Sequence, residues 1–412
     1  MDDRSFLNFY ADTPKFTHAP GLAVMRTLMG RLGDPQEKLR CVHVAGTNGK
    51  GSTAAMTASI LRAAGYRTGL YTSPDLTGIW ERIQVDGVYI NLSDLEAVTR
   101  RVRAACAGLP EPSFFEKITA AAFLYFAESG CAAVVLETGL GGRWDATNII
   151  PSPLCSVVTP IGYDHTAALG KTLAAIAGEK AGIVKPGRPV VSAPQPPEAL
   201  DVLKKTAERE QSPLYLVDIT KLSVHTRALG GQVFSYGDMR DIRLPLLGDH
   251  QAVNAACAIE AARCLGAGEG AIRTGLQSAV WPCRFEFFAQ KPPILLDGAH
   301  NAHGAAALAA GLRSYFPGQS FTMLMGVMAD KDTGGILACM EPLAKRFICV
   351  APDDSRALPP QALAGMIQTV PAGTAASLED ALKKARGYAE PICAFGSLYY
   401  IGYLRQKIVK ED

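Results

Sequence analysis

The sequence is poor in several features, and each absence removes a class of protein. Its 10 cysteines contain no CxxC pair. Scattered from Cys41 to Cys393, they read as reduced, mostly buried thiols rather than a zinc site or a disulfide framework. No apolar run approaches the roughly 20 residues that a membrane span needs. The start, Met1-Asp2-Asp3-Arg4-Ser5-Phe6, has neither the cationic head nor the apolar stretch of a secretory leader. The cytoplasm is therefore the expected compartment, without a membrane. Basic blocks are missing too: 41 Lys and Arg stand against 39 Asp and Glu, a net charge of +2. A partner bound through phosphate neutralisation, such as nucleic acid, calls for a concentrated basic excess. No repeat or low-complexity tract interrupts the chain.

What is present is a chain of 412 residues, 48% of them hydrophobic, too long for one ordinary core. Short apolar runs, β-branched in most cases and bounded by Gly, Pro or polar residues, predict strands at 41–45, 69–72, 132–137, 154–159 and 189–192. Helical patterns at 52–64, 92–107, 115–129, 173–183 and 198–210 lie between them. Such alternation predicts a mostly parallel sheet covered by helices. Residues 223–244 alternate like an antiparallel hairpin, and 249–265 return to helix. A second αβ series has strand candidates at 294–296, 322–326, 346–350 and 392–395. The Pro292-Pro293 pair within 289–293 is the best linker, because consecutive prolines stiffen an extended connection. The expected division is 1–289 and 290–412, both α/β: a P-loop domain with a mostly parallel sheet, then a smaller Rossmann-like domain.

The run Gly46-Thr47-Asn48-Gly49-Lys50-Gly51-Ser52 joins the first strand to the first long helix. Its glycines let the backbone turn tightly and approach an anion, and the amides of the helix start face that anion. Lys50 would reach the β- and γ-phosphates, and Ser52 would offer a hydroxyl oxygen to magnesium. The spacing departs from G-x-x-x-x-G-K-[ST], because Gly46 precedes Gly49 by only three and Gly51 follows the lysine. Ser73, Glu137 and His165 each lie at or just past a predicted strand end, where parallel-sheet enzymes build sites. Together they form a candidate hard-cation site.

These runs resemble the folylpolyglutamate synthase/dihydrofolate synthase group of Mur-ligase-like, ATP-dependent amide ligases. The resemblance rests on His43–Ser52, on Leu136-Glu137-Thr138-Gly139-Leu140-Gly141-Gly142-Arg143-Trp144-Asp145-Ala146-Thr147-Asn148 and on Asp164–Gly170. Further matches are Glu179-Lys180-Ala181-Gly182-Ile183, Gly248-Asp249-His250-Gln251-Ala252-Val253-Asn254 and Leu296-Asp297-Gly298-Ala299-His300-Asn301, with weaker ones at Asp330-Lys331-Asp332 and Gly396-Ser397-Leu398-Tyr399. It implies that Ser73, Glu137 and His165 hold magnesium with Ser52 near a second position, and it leaves potassium as a further candidate cation. Thr47, Asn48, Gly49, Lys50, Gly51, Ser52, Asn254, Arg284, Asp297 and His300 would contact ATP. Lys50, His165, Lys180 and Arg284 would serve catalysis, with Lys180 as a carbamate (N6-carboxylysine). Ser113, Phe114, Phe115, Glu116, Trp144, Asp145 and Ala146 would contact a pteroate or folate.

The implied reaction joins L-glutamate to dihydropteroate or a reduced folate through an acyl phosphate, in a chain expected to act as a monomer. Three residues depart from the family's pattern: Asp75 for His after Ser-Pro, Trp144 for Leu, and Cys283 for Gly before Arg284. Three alternatives stay open: a single-activity folylpolyglutamate synthase, another Mur-type ligase, and a nucleotide-binding regulator or transporter-associated ATPase. The P-loop at residue 46 leaves a peptidoglycan-type ligase no room for a separate sugar-nucleotide domain.

Overall fold

The computed structural model describes residues 4–11, 13 and 21–411; residues 1–3, part of the run read for a leader, lie outside the described residues. The chain forms two compact units. One holds the chain up to Lys221 together with Val253–Ser278, and the other holds Leu222–Ala252 together with the chain from Ala279 onward.

The first unit is built on an eight-stranded sheet. Its strands are β1 (Cys41–Ala45), β2 (Thr68–Tyr71), β3 (Ile83–Val85), β4 (Val88–Tyr89), β5 (Ala133–Glu137), β6 (Cys155–Val158), β7 (Val190–Ser192) and β8 (Leu214–Leu216). They lie in the order β4-β3-β2-β5-β1-β6-β7-β8. All neighbours from β2 to β8 are parallel; only the β2–β3 and β3–β4 pairings are antiparallel. β1, β5 and β6 are buried along their whole length, as the unbroken apolar runs required.

The helix Lys50–Ala63 leaves the end of β1 and is buried from Gly51 to Leu61. Small residues such as Ala54, Ala55 and Ala58 let it lie deep. Gly275, on the helix Glu269–Gln277, permits that closeness, since a Cβ there would sit 2.4 Å from the Ile60 Cα. The helix Phe114–Glu128 begins with a capping box. Ser113 Oγ accepts from the Glu116 amide, and Glu116 Oε2 accepts from the Ser113 amide at 2.8 Å. Ile118, Phe123 and Phe126 of that helix, with Leu95, Val98 and Leu136, centre the main core of this unit.

In the second unit, β9 (Leu222–Ala228), β10 (Gly231–Tyr236) and β11 (Met239–Leu244) form an antiparallel sheet. The other sheet has the order β12-β13-β17-β14-β15-β16, with β12 (Glu286–Phe288), β13 (Ile294–Leu296), β14 (Phe321–Met325), β15 (Ala344–Cys349), β16 (Ala372–Thr374) and β17 (Ile392–Phe395). It is parallel except for β12. Leu308, Leu312, Met323, Phe347 and Phe395 fill its core. The Pro292-Pro293 segment connects antiparallel neighbours β12 and β13. The expected division near 290 thus falls inside a hairpin of the second unit. Among the described residues, no helix is long and apolar enough to cross a membrane.

Candidate active site

Gly49 caps the helix Lys50–Ala63 from a left-handed conformation, φ +84°. A side chain there would meet Asn254 Oδ1 at 2.3 Å, so the missing Cβ is what lets the Asn254 amide lie on the loop. Gly46 is equally constrained: at φ +146° its Cβ would overlap Thr159 Oγ1. The Thr47 and Asn48 amides both donate to the Pro160 carbonyl, at 3.0 and 3.3 Å. The Thr47 hydroxyl donates to the Gly162 carbonyl, and the Gly162 amide donates to that same hydroxyl oxygen, each at 3.1 Å. These two residues therefore lash the loop to the segment after β6. The first turn of the helix, from Lys50, carries the amides that face an anion.

Lys50 Nζ lies 3.3 Å from the Thr47 carbonyl, to which it donates, and 4.0 Å from Glu137 Oε1. Glu137 ends β5, is buried, and accepts from the Ser73 amide at 3.0 Å. Lys50, Glu137 and Ser73 are thus brought together from three parallel strands' carboxyl ends. His165 stands apart in character: its side chain is 47% exposed, its φ is +50°, and its Nε2 is 3.9 Å from Asp164 Oδ1. Among the described residues, no three His, Cys, Asp or Glu side chains gather as a metal cage. That donor set still fits magnesium, which takes one or two carboxylates and completes its shell with water and substrate phosphate. Glu137 is a buried carboxylate with hydroxyl-bearing Ser73 beside it, a hard-oxygen environment.

Lys180 is 4% exposed, and its Nζ donates to the Gly46 carbonyl at 2.6 Å. Burial, followed by repulsion from Lys50, lowers its pKa to about 7, with Asp164 and Asp145 acting in the opposite sense. The lysine therefore sits directly behind the phosphate loop with an amine that is partly neutral at pH 7. Sequence reasoning gave no sign of Asp164 as a neighbour, because the proximity arises from the β6 loop folding back.

The two stretches expected to contact a folate meet around Gly139. Phe115 covers that glycine, where a Cβ would be 2.7 Å from the ring, and packs at 5.9 Å on Tyr71. Trp144 is 51% exposed, whereas Ala146 is buried. Asp145 is committed to its own loop: Oδ2 accepts from the Gly139 and Leu140 amides at 2.9 and 3.0 Å, and Oδ1 accepts from the Thr147 amide at 3.0 Å. Burial nevertheless raises its pKa. Glu116 is likewise held by the capping box, where Oε2 also accepts from Ser113 Oγ at 2.8 Å.

Sequence reasoning missed Arg82. Its guanidinium lies 5.0 Å from the centre of the Phe114 ring, and its Nε donates to Asp75 Oδ1 at 2.6 Å. Asp75 follows the cis Ser73–Pro74 bond. One short segment therefore links the Glu137 carboxylate to the aromatic stretch. Only the pairing reveals Arg82, since an isolated arginine seven residues after an aspartate carries no motif.

In the second unit, Asp297 is buried at the end of β13 and holds two amides: Phe285 donates to Oδ2 at 2.8 Å, and Ala299 donates to Oδ1 at 2.7 Å. His300 Nδ1 lies 2.8 Å from the Gly298 carbonyl, which fixes it as the protonated ring nitrogen. A Cβ on Gly298 would be 2.2 Å from Arg284 Nη1, so the guanidinium rests on that glycine. His250, half-buried near Asp297, Arg284 and His303, has its pKa lowered mainly by desolvation.

Residues 44–262 match the Mur ligase middle domain, and residues 283–397 match the Mur ligase glutamate ligase domain. The chain is 38% identical over 414 residues to the dihydrofolate synthase/folylpolyglutamate synthase of Bacillus subtilis (strain 168), covering 96% of each. Among solved structures it resembles Mycobacterium tuberculosis folylpolyglutamate synthase complexed with ADP, with a TM-score of 0.91 and 32% identity over 98% of this chain and 97% of that one. It also resembles E. coli FolC in complex with DHPP and ADP, with a TM-score of 0.89 and 30% identity over 99% of this chain and 97% of that one. With a phosphate loop at β1, a buried carboxylate at β5 and this likeness along nearly its full length, the chain belongs to the dihydrofolate synthase/folylpolyglutamate synthase family of Mur-type ligases.

Proposed function

We propose that this enzyme is an ATP-dependent amide ligase that adds L-glutamate to dihydropteroate and, by chain extension, to reduced folates. The observation that carries the reading is the Gly49–Lys50 helix start seated against Asn254, with Glu137 and Ser73 beside Lys50. A carboxylate is a poor electrophile, so one of its oxygens first takes the γ-phosphoryl group and ADP leaves. The glutamate amine then attacks the acyl carbon, and phosphate departs with that carboxylate oxygen. Such a reaction needs positioning and charge neutralisation rather than a nucleophilic side chain.

In this reading the amides of the first helical turn and Lys50 cradle the phosphates. Ser52, Ser73, Glu137 and His165 would hold magnesium, which supplies charge neutralisation at the transferring phosphoryl group; potassium is a further candidate. Asn254, Arg284, Asp297 and His300 contact ATP. Lys180 carries the carbamate: an amine with a pKa of about 7 has the neutral form that attacks carbon dioxide. Phe114, Phe115 and Trp144 offer aromatic faces to the pteridine or benzoyl group. Ser113, Glu116, Asp145 and Ala146 shape that pocket through the backbone. We place the nucleotide function with the Lys50 unit and the ligase function with the unit bearing Asp297, in a cytoplasmic monomer.

Asp75 and Trp144 differ from the family's pattern beside the aromatic stretch, and that observation favours keeping a second reading, a single-activity folylpolyglutamate synthase. Glutamate-dependent ADP release, measured separately with dihydropteroate and with tetrahydrofolate, decides between them. Release with both acids supports the bifunctional enzyme, and release with tetrahydrofolate alone supports the second reading. ADP release that ignores glutamate would overturn both.

A further inference from the structure

Arg284 stands between two residues in the left-handed region, Cys283 at φ +59° and Phe285 at φ +50°. Neither is a glycine, so the turn must be held by its surroundings to persist. On one side Asp297 holds the Phe285 amide at 2.8 Å, as described above. On the other, the Cys283 amide donates to Glu286 Oε2 at 2.8 Å. Glu286 is itself gripped from the helix Leu398–Glu411, because Arg405 Nε lies 2.9 Å from Oε1 and 2.8 Å from Oε2. The Cys283 carbonyl, fixed by the same turn, accepts from the Gly298 amide at 2.9 Å and from Arg284 Nη1 at 3.1 Å. A continuous path thus runs from Arg405 through Glu286 and Cys283 to the guanidinium.

We infer that Glu286 is a positioning residue for Arg284 and that Arg405 keeps Glu286 in place. The inference rests on the reading above that Arg284 contacts ATP. A charge aimed at a phosphate loses most of its effect when displaced by about 1 Å, so a residue that only fixes the turn still controls the reaction. Glu286 accepts from the main chain on one oxygen and from a cation on both, which is the arrangement that locks a carboxylate rather than leaving it to rotate.

The test is steady-state ADP release by Glu286→Ala, with the near-isosteric Glu286→Gln as a second variant that keeps the side-chain volume. Arg405→Met and Arg405→Lys complete the series. Glu286→Ala is expected to lower kcat/KM for ATP about tenfold or more, with KM for glutamate changed less than about twofold. Arg405→Met reproduces part of the loss and Arg405→Lys restores it. In an Arg284→Ala background, Glu286→Ala adds no further loss, because nothing remains to be positioned. Equal fold losses in both backgrounds, or equal losses for every substrate, would overturn the inference and leave Glu286 a structural residue. If Arg284→Ala itself leaves kcat/KM for ATP unchanged, the nucleotide reading of Arg284 fails first. If Arg284→Ala is impaired while both Glu286 variants match the parent, only the positioning role fails.

Discussion

Replacing Lys180 by methionine should stabilise the protein in acid more than in base, and the size of that difference follows from the structure. The Lys180 amine is buried, and burial together with Lys50 brings its pKa from 10.5 to about 7. Between those values the unfolded chain binds a proton that the folded chain has released, so stability rises with pH across that window. At about 1.36 kcal/mol per unit, burying the amine costs the fold about 5 kcal/mol at pH 6, where it stays charged, and about 2 kcal/mol at pH 9, where it gives up its proton. Methionine removes this pH-dependent cost. It also removes the bond to the Gly46 carbonyl, a loss of about 1–3 kcal/mol. That second effect shifts the whole comparison without bending it. The stability of Lys180→Met minus that of the parent should therefore fall by about 3 kcal/mol from pH 6 to pH 9. Urea unfolding in buffers stripped of carbon dioxide measures it. A difference that stays flat across that range would refute the argument, because the lysine would then keep an ordinary pKa. Adding bicarbonate at neutral pH should stabilise the parent and leave Lys180→Met unmoved.

Two further outcomes follow from contacts on the nucleotide and acid sides. Gly49→Ala forces a side chain into a left-handed position and against Asn254. The backbone alone costs about 1–2 kcal/mol, so ADP affinity by titration calorimetry should drop about tenfold or more; unchanged affinity contradicts this account of the loop. Asp75→Asn removes the charged partner that holds Arg82 over Phe114. KM for the pteroate or folate acid should rise about fivefold while KM for ATP stays within about twofold, and equal rises in both would deny Arg82 its place on the acid side.

Much of the nucleotide side was legible in the sequence because it is local. A buried strand, glycines at a turn and a helix start occupy one run, Cys41–Ala45 followed by the helix Lys50–Ala63. Glu137 was legible as the last residue of an apolar run. The rest depends on which partners the loops and short strands find once the chain folds. The run Gly46–Ser52 shows Thr47 and Asn48 as loop residues but not that their amides donate to the Pro160 carbonyl, more than a hundred positions away. Asp145 is legible as a carboxylate in a glycine-rich run, but the hold of its oxygens on the Gly139, Leu140 and Thr147 amides is not. Prolines 292 and 293 announce an extended connection but not its neighbours, which are two antiparallel strands of one sheet. Strands β3 and β4, of three and two residues, carry too little pattern to stand out and are set by pairing, β3 with β2 and β4 with β3. Cys283 was legible as a departure from glycine, and its φ of +59° shows that the turn keeps a glycine-like backbone with a thiol in place.

Transfer of oxygen tests the proposed chemistry most directly. The acid substrate is labelled with oxygen-18 in its reacting carboxylate and turned over with ATP and glutamate, and the released phosphate is analysed by mass. An acyl phosphate formed on the substrate predicts one labelled oxygen in each phosphate, with ADP as the nucleotide product and no labelled phosphate from Lys50→Ala. Unlabelled phosphate, or label appearing in AMP, would contradict it.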